Sequence, residues 1–232
     1  MSKKAVILLS GGLDSATLMA MAKQEGYELY PITFCYGQKH GNEINSAKKI
    51  ASLFKAKEHM IFDIDLKKIG GSSLTTGMSV PKQRELSEIS GSIPSTYVPA
   101  RNTIFLSIAL AWAETIGSKA IFIGVNSVDW SGYPDCRPEY IKAFQNLADL
   151  GTKTGAEETD KIKILAPLIN MTKGEIIKNG LSLGVDYSIT HSCYDPVKNG
   201  KPCGMCDSCM LRKKGFAEAG IKDPLYAADY KL

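Results

Sequence analysis

AVILLSGGLDSATL, residues 5–18, decides the fold of this chain. Its first part, Ala5 to Leu9, is a short apolar run containing β-branched residues and no polar alternation. That is the pattern of a strand buried on both faces. Beyond the glycines, Ala16, Leu18, Met19 and Ala22 keep a helical rhythm that predicts a helix over residues 14–25, closed by Gly26. Two adjacent glycines between two serines therefore join a strand to a helix. A junction of this kind turns backbone N–H groups and the positive end of the helix toward an anion.

The same alternation continues outward. Strand-like runs follow at Leu29–Phe34, His59–Ile64, Ala120–Val125 and Ile162–Leu165. Between them, Ile44, Ala47, Ile50, Ala51 and Phe54 share one helical face, and further helices fit residues 103–116, 139–150 and 173–183. The helix over 103–116 is apolar enough to be packed on most sides. Strands alternating with helices predict an α/β fold, a Rossmann-like parallel sheet with helices on both faces. Residues 65–96, rich in Ser, Gly and Pro, read as a long excursion over the C-terminal edge of the sheet, where such folds bind ligands. After about Thr190 the character changes. The division expected is an α/β domain with ligand-binding loops over 1–189 and a small C-terminal subdomain over 190–232.

Composition narrows the class. The chain of 232 residues is 44% hydrophobic, enough for a real core. No run approaches the roughly 18 apolar residues of a membrane span. A net charge of +4, not gathered into blocks, permits an anionic ligand without implying nucleic acid. The N-terminus enters a strand rather than a signal peptide, and six cysteines are too few for a secreted disulfide scaffold, so the cytoplasm is expected.

The loop itself excludes two familiar phosphate binders. No lysine follows the second glycine, as a Walker loop needs, and the glycines are adjacent rather than spaced G-x-G-x-x-G. In Ser10-Gly11-Gly12-Leu13-Asp14-Ser15 both hydroxyls can donate to phosphate oxygens and the glycines admit phosphate close to the backbone. Asp14 repels phosphate but can hold a magnesium ion that bridges phosphates. A blander reading is a tight turn whose Ser or Asp caps a helix. The six residues resemble the pyrophosphate loop of the N-type ATP pyrophosphatase (PP-loop) superfamily, of adenine nucleotide alpha hydrolase-like fold. That resemblance implies ATP cleavage between the α and β phosphates, with ATP bound by Leu9, Ser10, Gly11, Gly12, Leu13, Asp14, Ser15, Ala16, Thr17, Leu18 and Met19.

Three more stretches lie where a sheet's C-terminal edge would put them: TFCYGQKHGNEINSA (33–47), YVPARNTIFLSIA (97–109) and GVNSVDWSGYPDCRPEYIKAF (124–144). With the loop and four late cysteines they resemble the 7-cyano-7-deazaguanine synthase family of queuosine biosynthesis, over nearly the whole chain. The resemblance implies a ligase that uses ATP and ammonia to turn 7-carboxy-7-deazaguanine into its nitrile through an amide, and a homodimer. It implies catalytic roles for Asp14, Ser15 and Arg101. Nothing here looks like a glutaminase, so free ammonia is the expected nitrogen source.

The residues carry their own chemistry. Arg101 and Asn102 precede a helix start and can meet phosphate or carboxylate; an Arg–acid surface pair with Asn102 as a cap is the plain alternative. In SGYPDCRPEY, two prolines and a glycine stiffen a loop. A deazaguanine ring needs a carboxylate for its N–H edge, from Asp129 or Asp135, and a flat partner, from Trp130 or Tyr133. Arg137 could face the substrate carboxylate. His40 fits a structural or a catalytic role, and Cys35 and Cys136 read as packing residues.

Cys193, Cys203, Cys206 and Cys209 are spaced C-x9-C-x2-C-x2-C. Four thiolates close a tetrahedron around zinc and leave no position for catalytic water, so a structural zinc is expected; an iron–sulfur cluster uses similar counts. His191 reads as a neighbour rather than a ligand, and Arg212-Lys213-Lys214 as a solvated helix end. Two rival classes stay open: a tRNA sulfur transferase with a catalytic thiol at Cys35 or Cys136, and a non-enzymatic nucleotide sensor.

Overall fold

The computed structural model describes residues 3–37, 41–84, 93–128, 132–158, 160–198 and 200–226. Five strands form one parallel sheet in the order β3-β2-β1-β4-β5: β1 Lys3–Leu8, β2 Tyr27–Cys35, β3 Met60–Asp63, β4 Ala120–Phe122 and β5 Lys163–Leu165. Each strand falls where apolar runs predict one. β4 is shorter than expected. Beyond Phe122 and Ile123 the chain leaves the ladder at Gly124, drawn off by the Asn126 amide, which donates to the carbonyls of Leu168 (3.2 Å) and Met171.

Period-two alternation sorts the core into two layers. Val6, Tyr30, Ile32, Phe34 and Ile121 face one layer with α3 (Arg101–Ile116) and α4 (Pro138–Gly151). Ala5, Ile7, Leu29 and Phe122 face the other with α1 (Leu13–Gln24), α2 (Asn42–Leu53), α6 (Lys173–Ser182) and α7 (Asp207–Ala219). A single turn, α5 (Lys153–Ala156), follows α4. Ile7, Ile32, Leu18 and Ile50 are fully buried, each contributing roughly 1.5–3 kcal/mol of transfer free energy. α1 ends before Gly26, whose φ of +79° is the left-handed turn the sequence anticipates.

Three expectations are modified. α3 buries one side, Phe105, Leu106, Ala109, Leu110, Trp112 and Ala113, and presents Ser107, Ala111, Glu114 and Thr115 to solvent. Arg212 is not at a solvated helix end. It is buried, and its guanidinium donates to the Asp223 carboxylate (2.7 and 2.9 Å), to Thr190 Oγ1 (2.7 Å) and to the Tyr187 carbonyl (3.0 Å). Its place on the helix explains it: α7 packs on α6, and Arg212 lies on the inner side among Tyr187 and Phe216. The excursion after β3 also does not stop at the sheet edge. Lys82 bridges Cys206 in antiparallel fashion, the Gln83 N–H donates to the Met205 carbonyl at 2.9 Å, and Arg84 grips Asp207 with two bonds. Among the described residues no helix is long and apolar enough to cross a membrane.

Candidate active site and metal centre

The strand order reverses beside β1: β2 and β3 lie on one side, β4 and β5 on the other. Open parallel sheets bind ligands at the carboxyl ends of strands at such a point. Here it holds a cavity of about 270 Å³, a small-molecule volume.

The loop after β1 forms its floor. Gly11 has φ +86°, and a Cβ there would stand 2.2 Å from the Glu43 carbonyl oxygen, so only glycine fits between loop and α2. The Gly11 carbonyl accepts the His191 N–H at 2.9 Å. Ser10 Oγ donates to Ser15 Oγ (3.1 Å), which donates to the Gly12 carbonyl (3.0 Å). The helix cap is Gly12, with no side-chain capping bond, so the plain capping role for Ser10 or Asp14 does not describe this junction. Of the loop residues expected to bind ATP, Leu9, Ser10, Gly12, Leu13, Asp14 and Ser15 line the cavity. Ala16, Thr17, Leu18 and Met19 are fully buried in α1; Thr17 Oγ1 pairs with the Tyr187 hydroxyl at 2.8 Å.

Lys173 closes one side. Its Nζ donates to both oxygens of Asp14 at 2.8 Å. A capping box of Thr172 and Glu175 starts α6 and puts Lys173 at its first position. The T-x-x-E spacing was the available signal, and it marks a helix start rather than a cation.

The far end is aromatic. Arg101, Tyr36, Tyr133 and Tyr194 line it, with Asn102 and Cys136, while Glu43 and His191 line the cavity beside the loop. Arg101 opens α3 behind Ala100, which holds a left-handed φ of 53°, a conformation costing a non-glycine residue about 1–2 kcal/mol. Asp135, buried, accepts the Asn102 N–H at 3.0 Å, and the Asn102 side chain donates to the Asp135 carbonyl at 2.9 Å. Asp135 thus anchors the start of α3 and does not itself line the cavity. The Tyr133 hydroxyl pairs with Thr96 Oγ1 at 2.8 Å. Arg137, expected to face the substrate carboxylate, is exposed just ahead of α4, where Pro138 turns the chain into the helix, and is not among the residues lining this cavity. Asp129, Trp130 and His40 lie outside the described residues. Burial pushes the Glu43 carboxyl up to about 7, against the opposing pull of Arg101. Burial, then Asp135, raises the Cys136 thiol to about 12. Glu43, Tyr36, Tyr194 and Lys173 went unrecognised in the sequence because each lies on a different element.

The four late cysteines converge. Their sulfurs lie within 4.8 Å of one another. Cys206 and Cys193 sulfurs are 4.0 Å apart, close to the edge of about 3.8 Å that a tetrahedron with 2.3 Å metal–sulfur bonds requires. Backbone N–H groups of Cys203, Met205 and Cys206 point at sulfur (3.2, 3.5 and 3.3 Å), the support that thiolate ligands need. This set could hold a metal ion. The segment also forms the cavity wall through His191, Ser192 and Tyr194.

The sequence profile of queuosine biosynthesis protein QueC matches residues 4–220. The chain belongs to that family. Curated relatives of this QueC-family chain include the 7-cyano-7-deazaguanine synthase of Syntrophus aciditrophicus (strain SB), 61% identical over 225 residues that span 97% of each chain. The enzyme of the same name from Desulfatibacillum aliphaticivorans is 60% identical over 222 residues, 96% of this chain and 95% of its own. Among solved structures, NMN synthetase from Francisella tularensis overlays with a TM-score of 0.49 at 16% identity, covering 100% of this chain and 79% of that one. That likeness is too low to carry an argument.

Proposed function

We propose that this chain is an ATP-dependent ligase that converts 7-carboxy-7-deazaguanine and ammonia into 7-cyano-7-deazaguanine. One observation carries the reading: a single cavity joins a phosphate loop at the sheet's switch point to an end built from Arg101 and three tyrosines. The names of the full-length relatives agree with it.

In this reading the loop N–H groups, Ser10 and Ser15 hold the ATP phosphates, and Lys173 neutralises the departing pyrophosphate. Asp14 would hold magnesium, which screens phosphate charge when bound. Arg101 meets the substrate carboxylate and Tyr133 stacks on the heterocycle. A carboxylate has two oxygens and a nitrile none, so each oxygen must leave. Transfer of AMP to an oxygen lets it depart with AMP. Ammonia displaces the first to give the amide, and the amide oxygen is adenylated in turn. With one phosphate loop, both cycles use one site. The four cysteines hold one structural zinc. A cytoplasmic homodimer completes the reading.

The sulfur-transferase alternative needs a reactive thiol. Burial raises both Cys35 and Cys136, which works against thiolate formation. Incubation with ATP, Mg²⁺, ammonia and the carboxylate should give two AMP and two pyrophosphate per nitrile. Supplied amide should turn over with ATP alone, and glutamine should not serve. Production of ADP, or one AMP per nitrile, would overturn the mechanism.

A further inference from the structure

We propose that Glu43 is a catalytic residue, the proton acceptor for the nitrogen nucleophile and for the amide nitrogen that follows it. This rests on the reading of the site as an ammonia-dependent ligase. The position of Glu43 is fixed from two sides. Its backbone is pressed against the phosphate loop at Gly11, where a Cβ would stand 2.2 Å from its carbonyl oxygen. Its carboxyl is in electrostatic reach of the Arg101 guanidinium and the Tyr36 hydroxyl. It therefore stands between the loop that holds phosphates and the end that holds the carbonyl.

The nitrogen must shed protons at every stage. Ammonium gives one to the Glu43 carboxylate, and the freed electron pair bonds to the acyl-adenylate carbon. The C–O bond to AMP breaks, and AMP leaves with the electrons of that C–O bond. A second proton leaves nitrogen for Glu43 once the first has passed to solvent, which gives the amide. After the second adenylation the nitrogen loses its two remaining protons in turn. The last loss forms the third carbon–nitrogen bond as AMP departs. Nothing is oxidised or reduced.

Among the described residues two acids line the cavity, and Lys173 engages both oxygens of the other, Asp14. Among the described residues, the titratable and charged groups that share the cavity lining with Glu43 are Arg101 of α3, Tyr36 beyond β2, Asp14 of α1, Lys173 of α6, Tyr133 and Cys136 ahead of α4, His191 and Tyr194 of the C-terminal segment, and Arg212 of α7. A carboxyl near 7 is ionised above that pH and basic enough to take a proton from nitrogen at neutrality.

The test uses the whole protein and Glu43→Gln, with Glu43→Asp as the conservative variant and His191→Gln as the control. Three rates are read: carboxylate-dependent pyrophosphate–ATP exchange without ammonia, amide formation with ammonium, and hydroxamate formation with hydroxylamine, which is unprotonated at neutral pH. In Glu43→Gln the exchange and hydroxamate rates should stay within about threefold of the unmodified protein while amide formation falls about 10²–10³-fold. The acid limb of amide formation near pH 7 should vanish with it, and Glu43→Asp should recover part of the rate. Amide formation within about threefold of the unmodified protein, or equal loss of all three rates, would overturn the proposal. So would the same pattern arising from His191→Gln alone. Absence of exchange in the unmodified protein would instead overturn the ligase reading, and this proposal with it.

Discussion

Lys173 holds Asp14 by both carboxylate oxygens at 2.8 Å, across 159 residues of sequence. The pair ties the first turn of α1 to the first turn of α6 at the mouth of the phosphate loop. Both residues are more than half shielded, Lys173 to 12% and Asp14 to 30% side-chain exposure. Their attraction is therefore less screened than a surface pair's.

Asp14→Asn should keep the fold and lose at least about 10²-fold in turnover, because a neutral amide cannot hold a cation against phosphates. Lys173→Met should instead raise the KM for ATP and slow pyrophosphate release. Circular dichroism and steady-state rates on both variants separate the two. Normal turnover in Asp14→Asn would sink its role.

Gly11→Ala should abolish ATP binding without unfolding the sheet. The added methyl meets a carbonyl oxygen rather than a flexible side chain, and φ +86° disfavours any Cβ. Gly26→Ala is the control: its φ is also positive, but a Cβ there meets nothing within 4 Å. Calorimetric titration with ATP distinguishes them, and equal affinities would contradict the clamp at Gly11.

Arg212→Met should cost about 3–5 kcal/mol, a fall in Tm on the order of 10 °C, because it leaves Asp223 buried without its cation. Arg212→Met with Asp223→Leu should recover much of that loss. Thermal melts of the single and double variants decide it; a single variant as stable as the parent would refute the buried pair's importance.

Cys136, raised to about 12, stays a neutral thiol through pH 8, so iodoacetamide should leave it unmodified in the folded protein. Alkylation should speed up as pH climbs toward 12, or on unfolding. Mass spectrometry of tryptic peptides reads this directly. Rapid labelling at pH 7.5 would revive the sulfur-transfer reading.

Purified protein should contain one zinc per chain. Stripping it should raise hydrogen exchange in residues 80–84 together with 193–209, since Lys82 bridges Cys206 and Arg84 holds Asp207 beside the cluster. Iron with labile sulfide, or exchange confined to the cysteine segment, would contradict it.

The phosphate loop and the cysteine quartet were legible because each packs its chemistry into one short stretch. The strands were legible because parallel sheets bury continuous apolar runs. What sequence could not yield was convergence. Glu43 looks like an ordinary acid in the first turn of a helix, and Lys173 like a solvated residue of a capped one. Asp135 carries chemistry suited to a base reader, and only the fold reveals that its carboxylate accepts the Asn102 backbone N–H. Arg212 reads as part of a basic run until Asp223 is seen beside it.

The bond from the His191 amide to the Gly11 carbonyl has a consequence for how the molecule is made. β1 precedes its partners β2 and β4 in the chain, and the roof supplied by His191, Ser192 and Tyr194 follows all three. Nascent chains that stop before residue 191 carry the phosphate loop without its lid. The pocket is therefore completed only after residue 194 has been made, and chains that stop short of it should not turn over ATP.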